Sequence, residues 1–566
     1  MNLFSIGLMT FLPLVGALVI CGIPSRDERS IKGVAMVTTV LTLILSIGVA
    51  ARFAGLPSEQ QRVDYVPETV AAQADGVKAL VEQGQHPFQP ALGERHEWIP
   101  QAGIWYEVGV DGLSLPLILL STVLMVLVVI YSGPVVKDRI KWYFAFFLLL
   151  ETAMLGVFVS LDLFLFYLFF EVGLVPMYFL IGIWGGPRRE YAAIKFFLYT
   201  LVGSLTMLLA LLAIYFYSGG DGRTGTFSLL ELMYLQPATR MVGVLPSLCF
   251  WGIFLGFAIK TPMFPFHTWL PDAHVEAPTA GSVILAGVLL KLGTYGFVRV
   301  LMPLLPGQCQ LFGGYVVALA AIAIVYGALV AMAQTDMKKL VAYSSVNHMG
   351  FVMLGLGAAM MYLGAVPTDE RLARMATMAV NGAVLQMVCH GIITSGLFFM
   401  VGIIYDQTHT RMIADYRGIM KVVPRYSGVF ILMSMASLGL PALAGFVAEF
   451  HIFIGALNTG LSASALGLPG AQTLLVLTAV SMLGVLLNAA YFLWLIQRVL
   501  LGELSEGIME KAHGHLRDLS ASEYATMIPL VIATVLIGLI PGPIVLNLIN
   551  HYDAGLLLQL GRMLGG

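Results

Sequence analysis

The sequence predicts an all-α integral membrane protein with about fourteen transmembrane helices, and two properties of the chain support this fold class. The 566 residues are 58% hydrophobic and only 11% charged, with a mean hydropathy of +0.88, whereas a soluble globular domain carries about 25% charged residues. Apolar runs of about 20 residues recur along nearly the whole chain, and each is long enough to cross roughly 30 Å of hydrocarbon as a helix. The chain is therefore expected to be a multi-pass helical bundle.

The apolar runs place the predicted spans in chain order. They are 3–23, 31–53, 111–131, 141–160, 163–184, 194–217, 246–269, 277–301, 310–333, 339–362, 377–404, 427–456, 472–497 and 525–549. The long loop 54–110 is rich in Gln, Glu, Pro and Gly, and we expect it to form a cap on the exterior face. Trp98 and Trp105 in this loop are expected to lie at the headgroup level, where aromatic rings are enriched.

The distribution of Lys and Arg predicts the orientation in the membrane. An even number of spans puts both termini on one side, and the loops on the opposite side carry more of the positive charge. Since cytoplasmic loops are the more basic ones, both termini are predicted to lie on the exterior side. The net charge is only −2, with no basic block. The expected partners are therefore membrane proteins and lipid, and not nucleic acid.

Two predicted spans are interrupted by proline, which removes a backbone donor and breaks a helix. Pro262 and Pro265 follow Lys260 in the seventh span, and Pro441 precedes Glu449 in the twelfth. Broken helices at corresponding places in two halves indicate a transporter built from internal repeats.

The order of the spans predicts the domain organisation. Spans four to eight (141–301) form a first repeat, and spans nine to thirteen (310–500) form a second, which is inverted because five is odd. Spans one to three with the exterior loop (1–140) precede the repeats, and the last span (525–549) follows them.

Ionisable residues near the middle of apolar spans are the candidates for function. They are Glu171, Lys260, Lys291, His348, His390 and Glu449, with Glu151 as a less distinctive seventh. Left unpaired in hydrocarbon, they would together cost more than roughly 10 kcal/mol. We therefore expect them to cluster in a hydrated interior.

These residue types suit proton transfer. An opposite charge changes the proton affinity of a buried group, so a Glu171–Lys260 pair would act as a switch. Lys291 and the two histidines would pass the proton on, because histidine loads and unloads near neutral pH. Glu449 would be the terminal station. For any one of these residues alone, a structural ion pair or a satisfied core histidine is the alternative.

Metal and redox sites are not predicted in this chain. Cys21, Cys249, Cys309 and Cys389 are far apart and form no CxxC pair, so local spacing supports neither an iron–sulfur cluster nor a zinc site. A second group of polar residues lies where the seventh span meets water: His267, Asp272, His274 and Glu276. These residues lack a recognised ligand spacing, so helix capping and interface hydrogen bonds are expected of them instead.

Three stretches resemble closely the antiporter-like M subunit family of bacterial respiratory complex I, the NADH-quinone oxidoreductase, and its mitochondrial fourth-subunit equivalent. They read FYLFFEVGLVPMYF, KTPMFPFHTWLPDAHVEAPTAGS and QTDMKKLVAYSSVNHMGFV. The resemblance covers about 110 to 500. It implies a fourteen-helix proton-pumping module of a bacterial inner membrane, with inverted five-helix repeats. It also implies that NAD, FMN, iron–sulfur clusters and the quinone, either ubiquinone or menaquinone, belong to partner subunits, and that L-type and N-type subunits are neighbours.

The resemblance also implies roles for the matching residues. Glu171 would be the charge partner at the subunit boundary, Lys260 the central pumping lysine and Lys291 the connecting lysine. His348 and His390 would be relay positions, with Glu449 as the exit-side carboxylate.

The sequence departs from the family pattern in two places. The 54–110 loop is longer than the family needs, and the chain ends shortly after the last predicted span, so the lateral helix of the L-type relatives is not expected. Two other functions stay open: a subunit of a multisubunit cation/proton antiporter, and a structural membrane scaffold.

Overall fold

The computed structural model describes residues 5–66, 77–219, 224–512 and 514–565, so part of the predicted exterior loop, 67–76, lies outside the described residues. The protein is mostly helical. The first part contains α1 (Ile6–Gly22), α2 (Glu28–Ala54), α3 (Val77–Glu82), β1 (Gly93–Ile99), β2 (Ile104–Gly109), α4 (Ser114–Val135), α5 (Ile140–Val159), α6 (Leu163–Val172), α7 (Leu174–Trp184), α8 (Arg189–Ser218), α9 (Leu229–Leu235), α10 (Leu245–Lys260), α11 (Trp269–Glu276) and α12 (Thr279–Leu304).

The second part contains α13 (Pro306–Met332), α14 (Met337–Met360), α15 (Glu370–Thr408), α16 (Pro424–Ser437), α17 (Ala444–Ala465), α18 (Ala471–Val499), α19 (Glu506–Lys511), α20 (Ala521–Leu539) and α21 (Asn547–Gly565). Within the described ranges, 12 helices are long and apolar enough to cross a membrane, counting α6 and α7 as one. α1 and α10 are apolar but shorter. The multi-pass helical fold is confirmed, and the count of fourteen stays a prediction.

Both predicted interruptions are present. α10 ends at Lys260, and the chain turns through residues 261–268 before α11 begins. α16 ends at Ser437, and the chain passes Pro441 before α17 begins. Because hydrocarbon cannot hydrogen-bond freed backbone groups, such breaks are tolerated only inside the protein or beside a water-filled cavity.

The last predicted span, 525–549, is wrong at both boundaries. α20 runs from Ala521 to Leu539, and the chain breaks before Pro541 because proline ends the hydrogen-bond ladder. The segment beyond it forms a π-helical turn, Gly542–Leu546, and then α21. α21 packs against the 3₁₀ segment Leu363–Thr368 and α15, on one face of the bundle.

The same face carries a small antiparallel hairpin, so the all-α expectation misses one sheet. β1 pairs with β2 in a two-stranded ladder. The Glu94 side chain of β1 accepts a hydrogen bond from the backbone N–H of Ile6, at 2.9 Å. Arg62, in the loop after α2, donates to the side chain of Gln559 in α21 at 3.2 Å. The described beginning and end of the chain therefore lie on one face of the bundle.

A buried ion pair joins this face to the membrane helices. Arg299, near the end of α12, donates to Asp111 at 2.6 Å, and both side chains are almost completely buried. Arg299 also donates to the hydroxyls of Tyr295 at 2.9 Å and Tyr552 at 3.1 Å. Since each added hydrogen bond offsets part of the desolvation cost of the charges, this arrangement holds α12 and α21 together.

Glu107 in β2 provides a test of the hairpin's pH dependence. Burial raises the pKa of Glu107 from 4.5 to about 7, partly opposed by the charge of Arg95. Between these two pH values the folded hairpin holds a proton that the opened chain has released, so the free energy of opening falls as the pH rises. Hydrogen exchange of the β1 and β2 amides, corrected for intrinsic rates, should show this fall. In Glu107→Gln, which is neutral at every pH, the slope should become smaller, and what remains comes from Asp162, which accepts from the backbone N–H of Trp105 in β2 and whose pKa burial raises to about 7. An unchanged slope would contradict the assignment.

Candidate functional site

The six predicted ionisable residues fall into two groups inside the bundle. The first group holds Glu171 and Lys260, and the second holds Lys291, His390, His348 and Glu449. Among all six, only Glu171 is more than slightly exposed.

The first group lies at the break of the seventh predicted span. Lys260 is the last residue of α10, only 2% exposed, where the free carbonyls of the helix end stabilise positive charge. Its ammonium lies over the ring of Phe170, 4.9 Å from the centroid, and makes no hydrogen bond to a described residue. No Lys260–Glu171 ion pair is formed between the described residues, and the ammonium has the aromatic face as a neighbour instead. The two opposite charges still interact through space.

The second group begins at Lys291 in the middle of α12. Its side chain is fully buried and donates to the carbonyl of Ala286 at 2.5 Å. The ammonium also lies 2.7 Å from Nδ1 of His390, a residue of α15. α12 contains two π-helical stretches, Leu285–Leu289 and Phe297–Leu301, on either side of Lys291. Irregular turns of this kind occur frequently at functional sites.

From His390 the group continues to the second break. The rings of His390 and His348 lie 5.5 Å apart between centroids. Nδ1 of His348 lies 3.4 Å from the Glu449 carboxylate and 3.2 Å from the amide of Gln386. Nε2 of His348 lies 3.2 Å from the hydroxyl of Ser437, the last residue of α16. Lys291, His390, His348 and Glu449 therefore form a continuous row, and we call these four residues the buried row.

The two groups are not joined by direct contacts between the described residues. Thr261 lies between them, and its buried hydroxyl has no hydrogen-bond partner among the described residues. A side chain at Gly293 would come within 2.5 Å of that hydroxyl, so α12 passes the break very closely. Ordered water or a small movement is needed to connect Lys260 with Lys291.

His274 in α11 is a buried residue whose importance the sequence reasoning missed. It is fully buried, and neither ring nitrogen has a hydrogen-bond partner in the part of the chain that the structure describes. The ring stacks on Phe398 at 4.6 Å and lies close enough to Lys291 and His390 for their charges to interact. The available signal was a histidine between two apolar residues directly after a broken helix.

Capping and interface hydrogen bonds were expected of His267, Asp272 and Glu276 as well, and two of these three residues form them. Asp272 accepts from Lys195 at 2.7 Å, and the Glu276 carboxylate accepts from the backbone N–H of Arg188 at 2.9 Å. Neither ring nitrogen of His267 has a hydrogen-bond partner within the described ranges, as is also true of His274. In the part of the chain that the structure describes, no three His, Cys, Asp or Glu side chains come together as metal ligands would.

A polar cavity opens on the face opposite the hairpin, and its lining includes Val275, the residue after His274. Its volume is about 310 Å³, and its lining includes Glu276, Lys338, Asp406 and Arg411. Lys338, the second residue that the sequence reasoning missed, is buried and donates to the carbonyl of Ala277 at 2.6 Å. This polar cavity therefore places charged residues next to the end of α11, the helix that follows the first break.

Glu151 in α5, the seventh candidate, stands apart from the buried row. It is fully buried, and neither carboxylate oxygen has a hydrogen-bond partner among the described residues.

A multi-pass bundle with two broken helices and a row of buried Lys, His and Glu side chains defines an ion-transporting type of membrane protein. Residues 160–368 and 371–469 match the family described as NADH:quinone oxidoreductase/Mrp antiporter, TM. The chain belongs to this family, as an antiporter-like M subunit of respiratory complex I.

Individual relatives agree with this assignment. NADH-quinone oxidoreductase subunit M of Rhodobacter capsulatus is 41% identical, over 98% of both chains. NADH-ubiquinone oxidoreductase chain 4 of Chondrus crispus is 35% identical over 99% of both. A chain of the structure of respiratory complex I from Thermus thermophilus superposes with a TM-score of 0.76, at 28% identity, covering 99% of this chain and 100% of the other.

Proposed function

We propose that this chain translocates protons in the membrane arm of respiratory complex I, through Lys260 and the buried row. The observation that carries the proposal is the row from Lys291 to Glu449: Lys291 contacts His390, the His390 and His348 rings lie 5.5 Å apart between centroids, and His348 lies 3.4 Å from Glu449. These four ionisable side chains follow one another in space at hydrogen-bonding or near-contact distance. They provide successive proton sites in an otherwise apolar interior. Intramembrane charges of this kind usually line proton or ion paths.

Glu171 acts in this proposal as an electrostatic control of Lys260. The carboxylate favours the ammonium form while it is near, and its movement or neutralisation releases the proton. Moving one charge against 100 mV requires about 2.3 kcal/mol, so the energy has to come from outside this chain. The redox chemistry of NAD, FMN, iron–sulfur clusters and quinone in partner subunits would supply it.

The polar cavity would be the entry to the path. Lys338 lies at its inner wall and His274 above it, near Lys291. If the basic loops face the cytoplasm, as their charge indicates, protons enter there, and both termini and the hairpin lie on the exterior side of a bacterial inner membrane.

We also propose that segments 141–301 and 310–500 are inverted repeats of each other. Two breaks, after Lys260 and before Glu449, support them. Each break would bring one charged residue to the interior, and Lys291 would connect the two halves. L-type and N-type subunits are the neighbours we expect at the ends of the path.

Lys291 tests this function within the assembled complex. Lys291→Met preserves the length of the side chain but removes the charge that contacts His390. We expect NADH oxidation to be accompanied by fewer translocated protons per electron in sealed membrane vesicles, with the complex still assembled on native gels. Lys32→Met, at an exposed helix start, is the matched control and should have no effect. Unchanged proton translocation in an assembled Lys291→Met complex would refute the path.

The family description also names Mrp antiporters, which provides the second candidate function. A cation/proton antiporter subunit would use the same buried row without redox chemistry. Proteoliposomes containing the purified complex distinguish the two. Proton movement that requires NADH and quinone supports the first function, and exchange driven by a sodium gradient alone supports the second.

A further inference from the structure

A large cleft on the hairpin-bearing face is lined by positive charge. Its volume is about 990 Å³, and it lies between the end of α9, the start of α13 and α21. Arg62, Lys78 and Arg562 line it, and no Asp or Glu is among the described lining residues. We call this cavity the basic cleft.

Most of this positive charge is not neutralised. Arg62 is paired with Asp64 through two hydrogen bonds of 2.9 and 2.8 Å. Lys78 and Arg562 form no ion pair with any residue that the structure describes. Gln559, also in the lining, has a buried side-chain nitrogen with no acceptor among the described residues. The basic cleft therefore offers several unused donors and a net positive potential.

The start of α13 adds to this potential. Its first residues, Pro306, Gly307 and Gln308, line the basic cleft, and Leu305 before them provides no side-chain cap. The first N–H groups of a long helix have no partner within the helix and carry a partial positive charge. Gly307 and Gln308, which carry such N–H groups, line the same cavity as the cations.

The basic cleft opens beside surface that faces lipid. Leu311 and Tyr315, one and two turns into α13, are 63% and 64% exposed. Val242 and Val244, shortly after the lining residue Thr239, are 80% and 72% exposed. A phosphate headgroup in the cleft would thus have apolar side chains within reach of its acyl chains.

We propose that the basic cleft binds the headgroup of an anionic phospholipid. The cations and the helix start would hold the phosphate, and the acyl chains would lie along α13. Basic pockets beside transmembrane helices recognise anionic lipids in this way. The site is independent of the buried row, so it stands whether or not the chain translocates protons by the proposed path.

The experiment uses the assembled complex in lipid nanodiscs. A photoreactive phosphatidylglycerol and a photoreactive phosphatidylcholine with the same acyl chains are cross-linked separately, and the modified peptides are identified by mass spectrometry. We expect phosphatidylglycerol to label segments 306–315 and 558–564 several-fold more than phosphatidylcholine does. Lys78→Gln and Arg562→Gln should each reduce that labelling about fivefold, since one cation near an anionic lipid contributes that factor. Arg371→Gln, an exposed cation outside the basic cleft, is the control.

Three results would overturn the proposal. One is equal labelling by the two lipids, which would indicate ordinary annular lipid. Another is unchanged labelling in the assembled Arg562→Gln and Lys78→Gln complexes. The third is labelling of the two segments by phosphatidylglycerol no higher than background while inorganic phosphate alone binds there, since the basic cleft would then take a free phosphate ion and not a lipid.

Discussion

Replacing Lys260 with alanine is expected to stop proton translocation through this chain while leaving the complex assembled. Lys260 is buried at the end of α10, where its ammonium lies over the ring of Phe170 and makes no hydrogen bond to a described residue. Without it, a proton crossing the first half has no side chain to hold it. Placing a charge in such surroundings costs about 2.5–3.5 kcal/mol, which corresponds to roughly a hundredfold slower passage. The measurement is protons translocated per electron in sealed vesicles oxidising NADH.

Two further variants separate charge from packing. Lys260→Met retains most of the apolar contact with Phe170 and should be as defective as the alanine variant. Lys421→Ala removes an exposed lysine in the loop before α16 and should translocate normally. If Lys260→Ala assembles and its proton-to-electron ratio is unchanged, the chain is a structural scaffold and the assignment of Lys260 is wrong.

Replacing Glu449 with glutamine is expected to cause the second large loss. The Glu449 carboxylate lies 3.4 Å from His348 and is almost completely buried at the second break. Glutamine has the same shape and can still hydrogen-bond to the imidazole, but it cannot take up the proton. A positioned acid or base contributes about 10²–10⁴-fold to a proton-transfer step, so translocation should fall by at least the lower of these factors.

Glu449 also allows a test of whether the two halves belong to one path. If protons pass Lys260 and Glu449 in sequence, the Lys260→Ala/Glu449→Gln double variant should be no more defective than either single variant, because one block already stops the flow. Independent paths would instead give losses that add. Glu503→Gln, an exposed carboxylate in the loop after α18, is the matched control.

Features set by local chemistry could be predicted from the sequence. Apolar runs located the spans, and the prolines at 262 and 441 located the two breaks that the structure contains. The isolated charges in those spans identified the residues that line the interior. Burial of such residues follows directly from the cost of exposing them to lipid.

Features that depend on distant parts of the chain could not be predicted. Lys291 and His390 are 99 residues apart, and only the packing of α12 on α15 brings them to 2.7 Å. The Lys260 ammonium lies over the ring of Phe170, the residue before Glu171, which no sequence spacing reveals. The hairpin escaped notice because its strands are short and partly polar. The early end of α20 did have a signal, Pro541, which the length of the apolar run obscured.

If one path connects Lys260 to the buried row, the region between Lys260 and Lys291 has to conduct protons. The measurement is an electron microscopy map of the assembled complex at a resolution that shows ordered water. We predict waters that join the Lys260 ammonium, the Thr261 hydroxyl and the Lys291 ammonium in a hydrogen-bonded chain. Close apolar packing between the two lysines, with no space for water in any state of the complex, would rule out a single path through Lys260 and the buried row.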